Sequence, residues 1–431
     1  MSHPPKEALR RGWCPGTLKP METGDGWLVR LHPPGARLTS AQLRRIAALA
    51  ADHGNGLIEI SARANLQLRG VTAASHPKLV ASLLAEHLVD EHEGEGPQRL
   101  TLLSPLASPP RHDGGAPIDT ILLAERIERA ARTIPGLPAK FGIVVDDCRL
   151  QSLDGFTGDI RLFGTDAGRV ILCLADRLWR GPLDESEAAP AVEAILRGFS
   201  ALRRDAPERI RRLRDLPPDA LAGLTTLPEA SAPAPRPPPR RAGLFALEGN
   251  RFAALIGLPF GRCDAATLDR LGAHAEAGAE VRFSPWRGLA FRDLGLAQAE
   301  RLLALAGELG LVTRDDEPRL SVQACTGSPA CSRAETPAMA DAAALAGAAA
   351  DLIARGATFH VSGCVKACAH PAAADLTLVG RAGRYDVVCG GTARDEPIAT
   401  LDLSAIVARL QPGHEFYARL TEAAHPTESR A

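Results

Sequence analysis

The sequence predicts an α+β protein built from two pseudo-symmetric halves. Two observations lead to this fold class. A strand, a helix and a pair of strands follow one another near the amino terminus, and the same pattern returns roughly 220 residues later. A proline-rich segment, residues 226–243, separates the two copies in the chain of 431 residues. This period is too long for a solenoid, so duplication of one α+β unit explains it better.

The first copy begins with an apolar segment and continues with helical spacing. Residues 27–31, WLVRL, predict a strand. Residues 38–50, LTSAQLRRIAALA, predict a helix because apolar side chains recur every three or four positions. Residues 56–69, GLIEISARANLQLR, predict two strands joined by a turn.

The second copy repeats this order. Residues 252–258 predict a strand, residues 263–275 a helix, and residues 279–292, AEVRFSPWRGLAFR, a pair of strands. The apolar positions of the two strand pairs align without a gap, matching Ile58 with Val281, Ile60 with Phe283, Leu66 with Leu289, and Leu68 with Phe291.

A longer α+β segment follows each copy. The first contains predicted strands at 140–147 and 170–174, and a helix at 189–203 with proline in its first turn. The second contains a long Ala-rich helix at 338–355 and predicted strands at 358–361, 375–379 and 385–389. Proline density makes 226–243 an extended linker. The predicted segments are 12–75 and 244–312 for the repeats, 90–225 and 315–412 for the larger lobes, and 226–243 for the linker.

Composition excludes several classes of protein. A net charge of -1 argues against nucleic acid or an anionic membrane as the main partner. No segment approaches the roughly 18 apolar residues of a transmembrane helix. The first residues, MSHPPKEALRRGW, lack the apolar core of a signal peptide. We therefore expect a cytoplasmic protein whose nine cysteines, an odd number, stay reduced and free to bind metal.

Four of these cysteines form two close pairs. Cys325 and Cys331 stand in CTGSPAC, and Cys364 and Cys368 stand in CVKAC, with 32 residues between the pairs. Four thiolates are the usual ligand set of a cubane iron–sulfur cluster. Zinc is the competing interpretation, although zinc ribbons usually have C-x2-C spacing. Chance clustering of small buried residues is the third interpretation.

The remaining cysteines stand alone in the sequence. Cys173 and Cys389 lie in apolar strands and are most simply core residues. No role follows from the sequence for Cys14, Cys148 and Cys263. His370, two residues after Cys368, is either a ligand or acid, or an ordinary loop residue.

At these motifs the chain resembles the siroheme-containing sulfite and nitrite reductase superfamily. The C-x5-C and C-x3-C pairs are similar to its cluster signature, and the duplicated unit is similar to its ferredoxin-like half-domain. Within the superfamily the chain most resembles the precorrin-3B synthase family. The segments that carry this resemblance are RRGWCPGTLKPMETGDGWLVRLHPPG, LLSPLAS, LPAKFGIVVDD, SPWRGL and VSGCVKACAHP.

The resemblance covers nearly the whole chain and implies a fold and cofactors. It implies two ferredoxin-like half-domain repeats packed side by side, two larger α+β lobes, and an active site in the cleft between them. It also implies a 4Fe–4S cluster held by Cys325, Cys331, Cys364 and Cys368. In the reductases the cysteine that matches Cys368 also bridges to siroheme iron. Whether siroheme or a mononuclear non-heme iron serves this chain stays open.

The resemblance further implies a basic pocket for an anionic tetrapyrrole. Arg30 and Lys140 match catalytic positions, whereas Gly142 replaces the second lysine of the reductases. Asn65 and Gln67 share one face of their strand because side chains alternate. For every one of these side chains, a solvated surface position is the competing interpretation. The predicted substrate- or tetrapyrrole-binding residues are Arg63, Asn65, Gln67, Arg69, Arg99 and Arg287.

The implied activity is a monooxygenase reaction in aerobic cobalamin biosynthesis. It would hydroxylate precorrin-3A with O2 and close a γ-lactone to give precorrin-3B. Electrons from NADH would arrive through a separate reductase, because the sequence has no Gly-rich dinucleotide fingerprint. Two alternatives are a siroheme-dependent sulfite or nitrite reductase and a non-catalytic carrier of a cluster or tetrapyrrole.

Overall fold

In a computed structural model of the protein, the residues described below form four five-stranded sheets. The structure describes residues 14–91, 96–107, 118–165, 167–275 and 278–410. Residues 1–13, in which we expect no signal peptide, lie outside these ranges. The same is true of the outer ends of the predicted segments 12–75 and 315–412. Part of the predicted lobe 90–225, namely 92–95, 108–117 and 166, also lies outside them.

Sheets 1 and 2 are antiparallel and belong to the two repeats. The strands of sheet 1, in spatial order, are Met21–Thr23, Gly26–Leu31, Leu66–Val71, Leu57–Ile60 and Arg262–Asp264. The strands of sheet 2, in the same order, are Gly243–Leu247, Arg251–Gly257, Gly288–Leu294, Glu280–Ser284 and Arg37–Thr39. The strand pairs predicted from the repeated motif are confirmed.

Each repeat gives a strand of three residues to the sheet of the other. Arg37–Thr39 pairs with Glu280–Ser284, and Arg262–Asp264 pairs with Leu57–Ile60. The inner faces of both sheets contribute to one continuous apolar core. The repeats are therefore interlocked rather than only packed side by side, which the apolar pattern of such short strands could not predict.

The helices that follow the exchanged strands begin at side-chain caps. Ser40–His53 starts at a capping box between Thr39 and Gln42, and Ala265–His274 starts where Asp264 accepts a hydrogen bond from the Thr267 amide. Each such cap contributes about 1 kcal/mol. Both predicted helices are confirmed, but they start two residues later than predicted because the preceding residues pair as strands.

Sheets 3 and 4 form the two larger lobes and share one topology. In each, the first three strands are parallel and the last two are antiparallel to their neighbours. The strands of sheet 3 are Thr101–Leu103, Ile143–Asp146, Ile160–Gly164, Arg169–Leu174 and Leu178–Asp184. Those of sheet 4 are Val322–Ala324, Phe359–Ser362, Ala374–Arg381, Arg384–Gly391 and Ala399–Leu401. The duplication therefore extends to the lobes.

The rest of the described chain contains eight further α-helices and five 3-10 helices. The other α-helices are His76–Ala85, Thr120–Ala131, Glu185–Arg204, Pro218–Ala222, Leu296–Glu308, Ala338–Ala348, Ala350–Ala354 and Leu403–Leu410. The 3-10 helices are Pro34–Ala36, Leu213–Asp215, Glu248–Asn250, Pro259–Gly261 and Pro318–Ser321.

Three predicted elements were wrong in their bounds. The helix predicted at 189–203 begins at Glu185, where acidic side chains favour a helix start, so Pro190 lies inside it rather than in its first turn. The helix predicted at 338–355 is broken at Ala349, whose backbone is not helical. The strand predicted at 140–147 is only Ile143–Asp146, because Phe141 closes a turn onto the Pro138 carbonyl.

The segment between the halves contains no helix in residues 226–242, and its one sheet-like contact is a bridge between Glu229 and Arg180. Arg236 fixes it to the first lobe through ion pairs of 2.5 Å with both Asp146 and Asp154. Within the part of the chain that the structure describes, no helix is long and apolar enough to cross a membrane.

Candidate active site between sheet 1 and the cysteine loops

The outer face of sheet 1 is polar although it is buried. Alternation along Leu66–Val71 turns the leucines toward the core and places Gln67 and Arg69 on the opposite face. Glu59 and Arg30 share this outer face on neighbouring strands, where Arg30 is directly opposite Gln67. A buried polar face requires partners, and here they come from neighbouring side chains and from the cysteine loop.

A chain of hydrogen bonds crosses this face. Arg30 donates from Nη2 to Gln67 Oε1 at 2.9 Å, and Gln67 donates to Glu59 at 3.3 Å. Arg69 donates to Asp25 at 2.6 Å and to Glu59 at 3.3 Å. The Arg69 guanidinium, predicted to bind a substrate carboxylate, is therefore already engaged by two carboxylates of the protein.

Residues 325–331, here called the cysteine loop, cover this face. The Ala330 carbonyl accepts hydrogen bonds from Arg69 at 3.0 Å and from the Gly24 amide at 3.1 Å. The Thr326 hydroxyl donates to Glu59 at 3.3 Å. A β-carbon at Gly24 would lie 2.4 Å from the Pro329 carbonyl oxygen, so only glycine permits this close approach. The first repeat therefore holds the loop that carries Cys325 and Cys331.

The two cysteine pairs meet because of the topology of sheet 4. Cys325 follows the strand Val322–Ala324, and Cys364 lies two residues after Phe359–Ser362, its parallel neighbour. The carboxyl ends of parallel strands lie at the same edge of a sheet. The Gly363 amide donates to Cys325 Sγ at 3.1 Å, which joins the two loops directly.

The thiols at this edge influence one another. The pKa of Cys368 is raised to about 11 by desolvation and, to a smaller extent, by the neighbouring thiols of Cys325, Cys364 and Cys331. None of these four cysteines forms a disulfide. The four thiols therefore lie near one another at this edge of sheet 4.

This donor set fits an iron–sulfur cluster. Thiolates from two loops and a backbone amide directed at sulfur are the features by which proteins hold such clusters and tune their potential. Among the described residues, no three His, Cys, Asp or Glu side chains are close enough to enclose a single metal ion. Cys325, Cys331, Cys364 and Cys368 are the residues that would hold the iron–sulfur cluster.

Arg287 and two histidines lie behind the second cysteine pair. Arg287 donates to the Ala369 carbonyl at 3.0 Å, so it supports this loop from the second repeat. His370 stacks edge-to-face on His360 at 5.7 Å between ring centroids. His360 is fully buried, and neither ring nitrogen has a hydrogen-bond partner among the described residues. Desolvation lowers its pKa to about 4, so the ring is neutral at pH 7.

A groove lies between the repeats and the first lobe. Among the described residues that line it, none is acidic and four are arginines, namely Arg37, Arg63, Arg99 and Arg282. Arg99 donates to the Pro33 carbonyl at 2.7 Å, and burial lowers its pKa. An anion in this groove would pair with the guanidiniums of Arg63 and Arg99.

The predicted pocket residues therefore occupy two neighbouring regions. Arg30, Gln67 and Arg69 lie on the outer face of sheet 1, with Asn65 in the turn just before them, whereas Arg63 and Arg99 line the groove. Lys140 is exposed beside Arg63, and the contact between them uses the Lys140 carbonyl at 3.3 Å. Cys14, which had no predicted role, lies beside Arg30.

Sequence reasoning missed Glu59 and His360. Glu59 occupies an outward position in a strand of otherwise apolar residues, and this alternation was the available signal. His360 alternates in the same way with the core residues Phe359 and Val361. In both cases an isolated polar residue in a strand predicts only that one face of the strand contacts solvent. The residues that contact it come from distant segments of the chain.

The comparisons with known proteins support this architecture. The family described as nitrite/sulfite reductase ferredoxin-like half domain matches residues 19–86. The solved structure of the NirA protein of Mycobacterium tuberculosis has a TM-score of 0.70 at 22% identity, covering 93% of this chain and 84% of that one. At that identity the likeness is one of fold.

Two relatives match only part of the chain. The sulfite reductase (NADPH) hemoprotein beta-component of Myxococcus xanthus is 42% identical over 66 residues, covering 14% of this chain and 12% of the relative. The same component of Methylocella silvestris is 31% identical over 158 residues, covering 33% of this chain and 27% of the relative.

A third relative matches almost the whole chain. Precorrin-3B synthase of a Sinorhizobium species is 35% identical over 436 residues, which cover 94% of this chain and 88% of the relative. The match includes both repeats and both lobes, unlike the partial similarity to the hemoproteins. The chain therefore belongs to the precorrin-3B synthase family of oxidoreductases, within the nitrite and sulfite reductase superfamily.

Proposed function

We propose that this protein converts precorrin-3A to precorrin-3B, by O2-dependent hydroxylation of a meso carbon followed by γ-lactone formation from the ring A acetate. The observation that carries this proposal is the similarity to a precorrin-3B synthase over nearly the full length of both chains. Electrons derived from NADH would come from a separate reductase.

The proposal assigns a 4Fe–4S cluster to the four cysteines at the edge of sheet 4. When bound, such a cluster supplies single electrons, and siroheme or a mononuclear iron supplies the O2 chemistry beside it. The loops that carry the cysteines are supported from both repeats, through Arg69 on one side and Arg287 on the other.

The arginines have a separate task, which is to hold a polycarboxylate macrocycle. Arg63 and Arg99 line a groove whose described lining residues include no acid, and a guanidinium pairs with a carboxylate through two parallel hydrogen bonds. Gln67 fixes the Arg30 side chain in one orientation before substrate arrives, which lowers the entropic cost of binding. Lys140 is exposed at this region and can carry a proton to or from the bound molecule.

The decisive experiment uses protein purified without oxygen. Its iron and acid-labile sulfide are measured, and precorrin-3A is then added with O2 and a reductant. We expect a product whose mass is greater by one oxygen atom. Bound iron and sulfide with no change in the tetrapyrrole would support a carrier instead.

The second candidate is a siroheme-dependent sulfite or nitrite reductase, favoured by the partial similarity to two hemoprotein beta-components. It predicts a siroheme spectrum and consumption of sulfite or nitrite. One residue argues against it, since Gly142 stands where the resemblance places a second reductase lysine. Turnover of sulfite or nitrite without oxygenation of precorrin-3A would replace our proposal with this one.

A further inference from the structure

We propose that Glu59 positions the cysteine loop and sets the electrostatic charge beside the cluster. The inference rests on the proposed function in one respect, which is that the four cysteines hold an iron–sulfur cluster. Glu59 is a positioning residue, because it contacts the loop between Cys325 and Cys331 and none of the four sulfurs.

One carboxylate joins three separate parts of the chain. Glu59 belongs to the strand Leu57–Ile60 and is only 8% exposed. Its Oε1 accepts hydrogen bonds from Arg262 Nη2 at 2.5 Å and from Thr326 at 3.3 Å. Its Oε2 accepts from Arg69 and Gln67, both at 3.3 Å. Arg262 comes from the exchanged strand of the second repeat, and Thr326 comes from the cysteine loop.

Ion pairs surround Glu59. Two carboxylates, Glu59 and Asp25, pair with two guanidiniums, Arg69 and Arg262. A buried carboxylate is tolerated only with such partners, and its removal leaves buried positive charge without compensation. Excess positive charge next to a cluster stabilises the reduced state, which carries one more electron. The loss of the Glu59 charge should therefore raise the reduction potential.

The duplication gives an internal comparison. The residue of the second repeat that aligns with Glu59 is Arg282, which donates to the Ala107 carbonyl of the first lobe at 2.5 Å. At this aligned position an acid is thus present in the repeat that faces the cysteines, and a base in the other repeat. Sheet 2 has a different acid, Glu280, which pairs with Arg282 at 2.6 Å. This sheet is hydrogen-bonded to the first lobe. Glu280 is therefore a matched control.

The test compares Glu59→Gln with Glu280→Gln and wild type, each as full-length protein purified without oxygen. Iron and acid-labile sulfide, the electron paramagnetic resonance signal of the reduced cluster, its midpoint potential and its loss to a chelator are measured. For Glu59→Gln we expect a more positive potential, an altered signal and roughly ten-fold faster cluster loss. Glu280→Gln should match wild type in all of these.

A Glu59→Gln protein with the wild-type potential and rate of cluster loss would overturn the inference. If that variant does not fold, Glu59→Asp replaces it, because aspartate keeps the charge but withdraws it from Thr326. Faster cluster loss with a near wild-type potential is then expected, and an unchanged rate would refute the positioning role. Wild-type protein without iron and labile sulfide would overturn the cluster assignment, and this inference with it, before any variant is compared.

Discussion

The guanidinium of Arg63 lies over the backbone of Gly142. A β-carbon at residue 142 would be 3.2 Å from Arg63 Nη1, which is closer than ordinary van der Waals contact. The absence of a side chain at Gly142 therefore leaves room for the Arg63 guanidinium at the edge of the groove. The reductases have a second lysine at the position of Gly142, and here the Arg63 guanidinium of the first repeat lies next to that position instead.

Gly142→Lys should therefore weaken tetrapyrrole binding although it adds a positive charge. The new side chain displaces Arg63, and the loss of one charge-assisted hydrogen bond costs about 1.5–3 kcal/mol, or about ten-fold or more in affinity. Absorbance titration with a tetrapyrrole polycarboxylate measures this. Gly155→Lys is the control, because nothing lies within 4 Å of a β-carbon at that exposed position. Equal affinities of the two variants would contradict the proposed role of Arg63.

Cys325→Ser should abolish the iron–sulfur absorbance. The substitution removes one of four thiolates and puts a poor iron ligand in its place, next to the Gly363 amide that donates to the Cys325 sulfur. Cys389→Ser, in another strand of sheet 4, should leave the absorbance intact. The measurement is the visible spectrum together with iron and sulfide per chain. An unchanged spectrum in Cys325→Ser would refute the ligand assignment.

The sequence predicted the repeated units well because burial imposes a strict pattern on them. Ile58 and Leu68 align with Val281 and Phe291, and all four side chains lie in one shared core. The same pattern could not predict the exchange of strands, because Arg37–Thr39 and Arg262–Asp264 have three residues each. Such short strands contain too few alternations to reveal a partner, and their pairing is decided by tertiary contacts.

The candidate site was predictable to a similar degree. The spacing of the cysteines indicated one site, and the parallel pairing in sheet 4 brings their loops together. The roles of the arginines could not be separated by sequence. Arg63 and Arg69 lie six residues apart, yet one lines an open groove and the other is held by Asp25 and Glu59. That difference depends on acids distant from both in the chain.

His360 should make the protein less stable in acid. Its pKa is about 4 in the folded state, against about 6.5 in the unfolded chain, because desolvation disfavours the charged ring. Between these values the unfolded state binds more protons, so stability falls as pH decreases from 6.5 toward 4, by up to about 3 kcal/mol. Urea unfolding at pH 7 and pH 5 measures the effect. His360→Leu should reduce the difference between the two pH values, whereas His53→Gln, at a helix end, should retain it.

The exchange of strands predicts that neither half folds alone. A fragment of residues 1–225 would lack Arg262–Asp264, the edge strand of sheet 1, and would leave Arg37–Thr39 without its partner. It would also expose its share of the core, since one apolar cluster contains side chains of both repeats. We expect each half expressed alone to aggregate or to lack a cooperative thermal transition by circular dichroism, and the two halves to copurify when expressed together. A protease site placed in the extended segment between the halves gives the complementary measurement, because cleavage of the folded chain there should leave the halves associated. A cooperative transition in either isolated half would show that the exchanged strands are dispensable for folding.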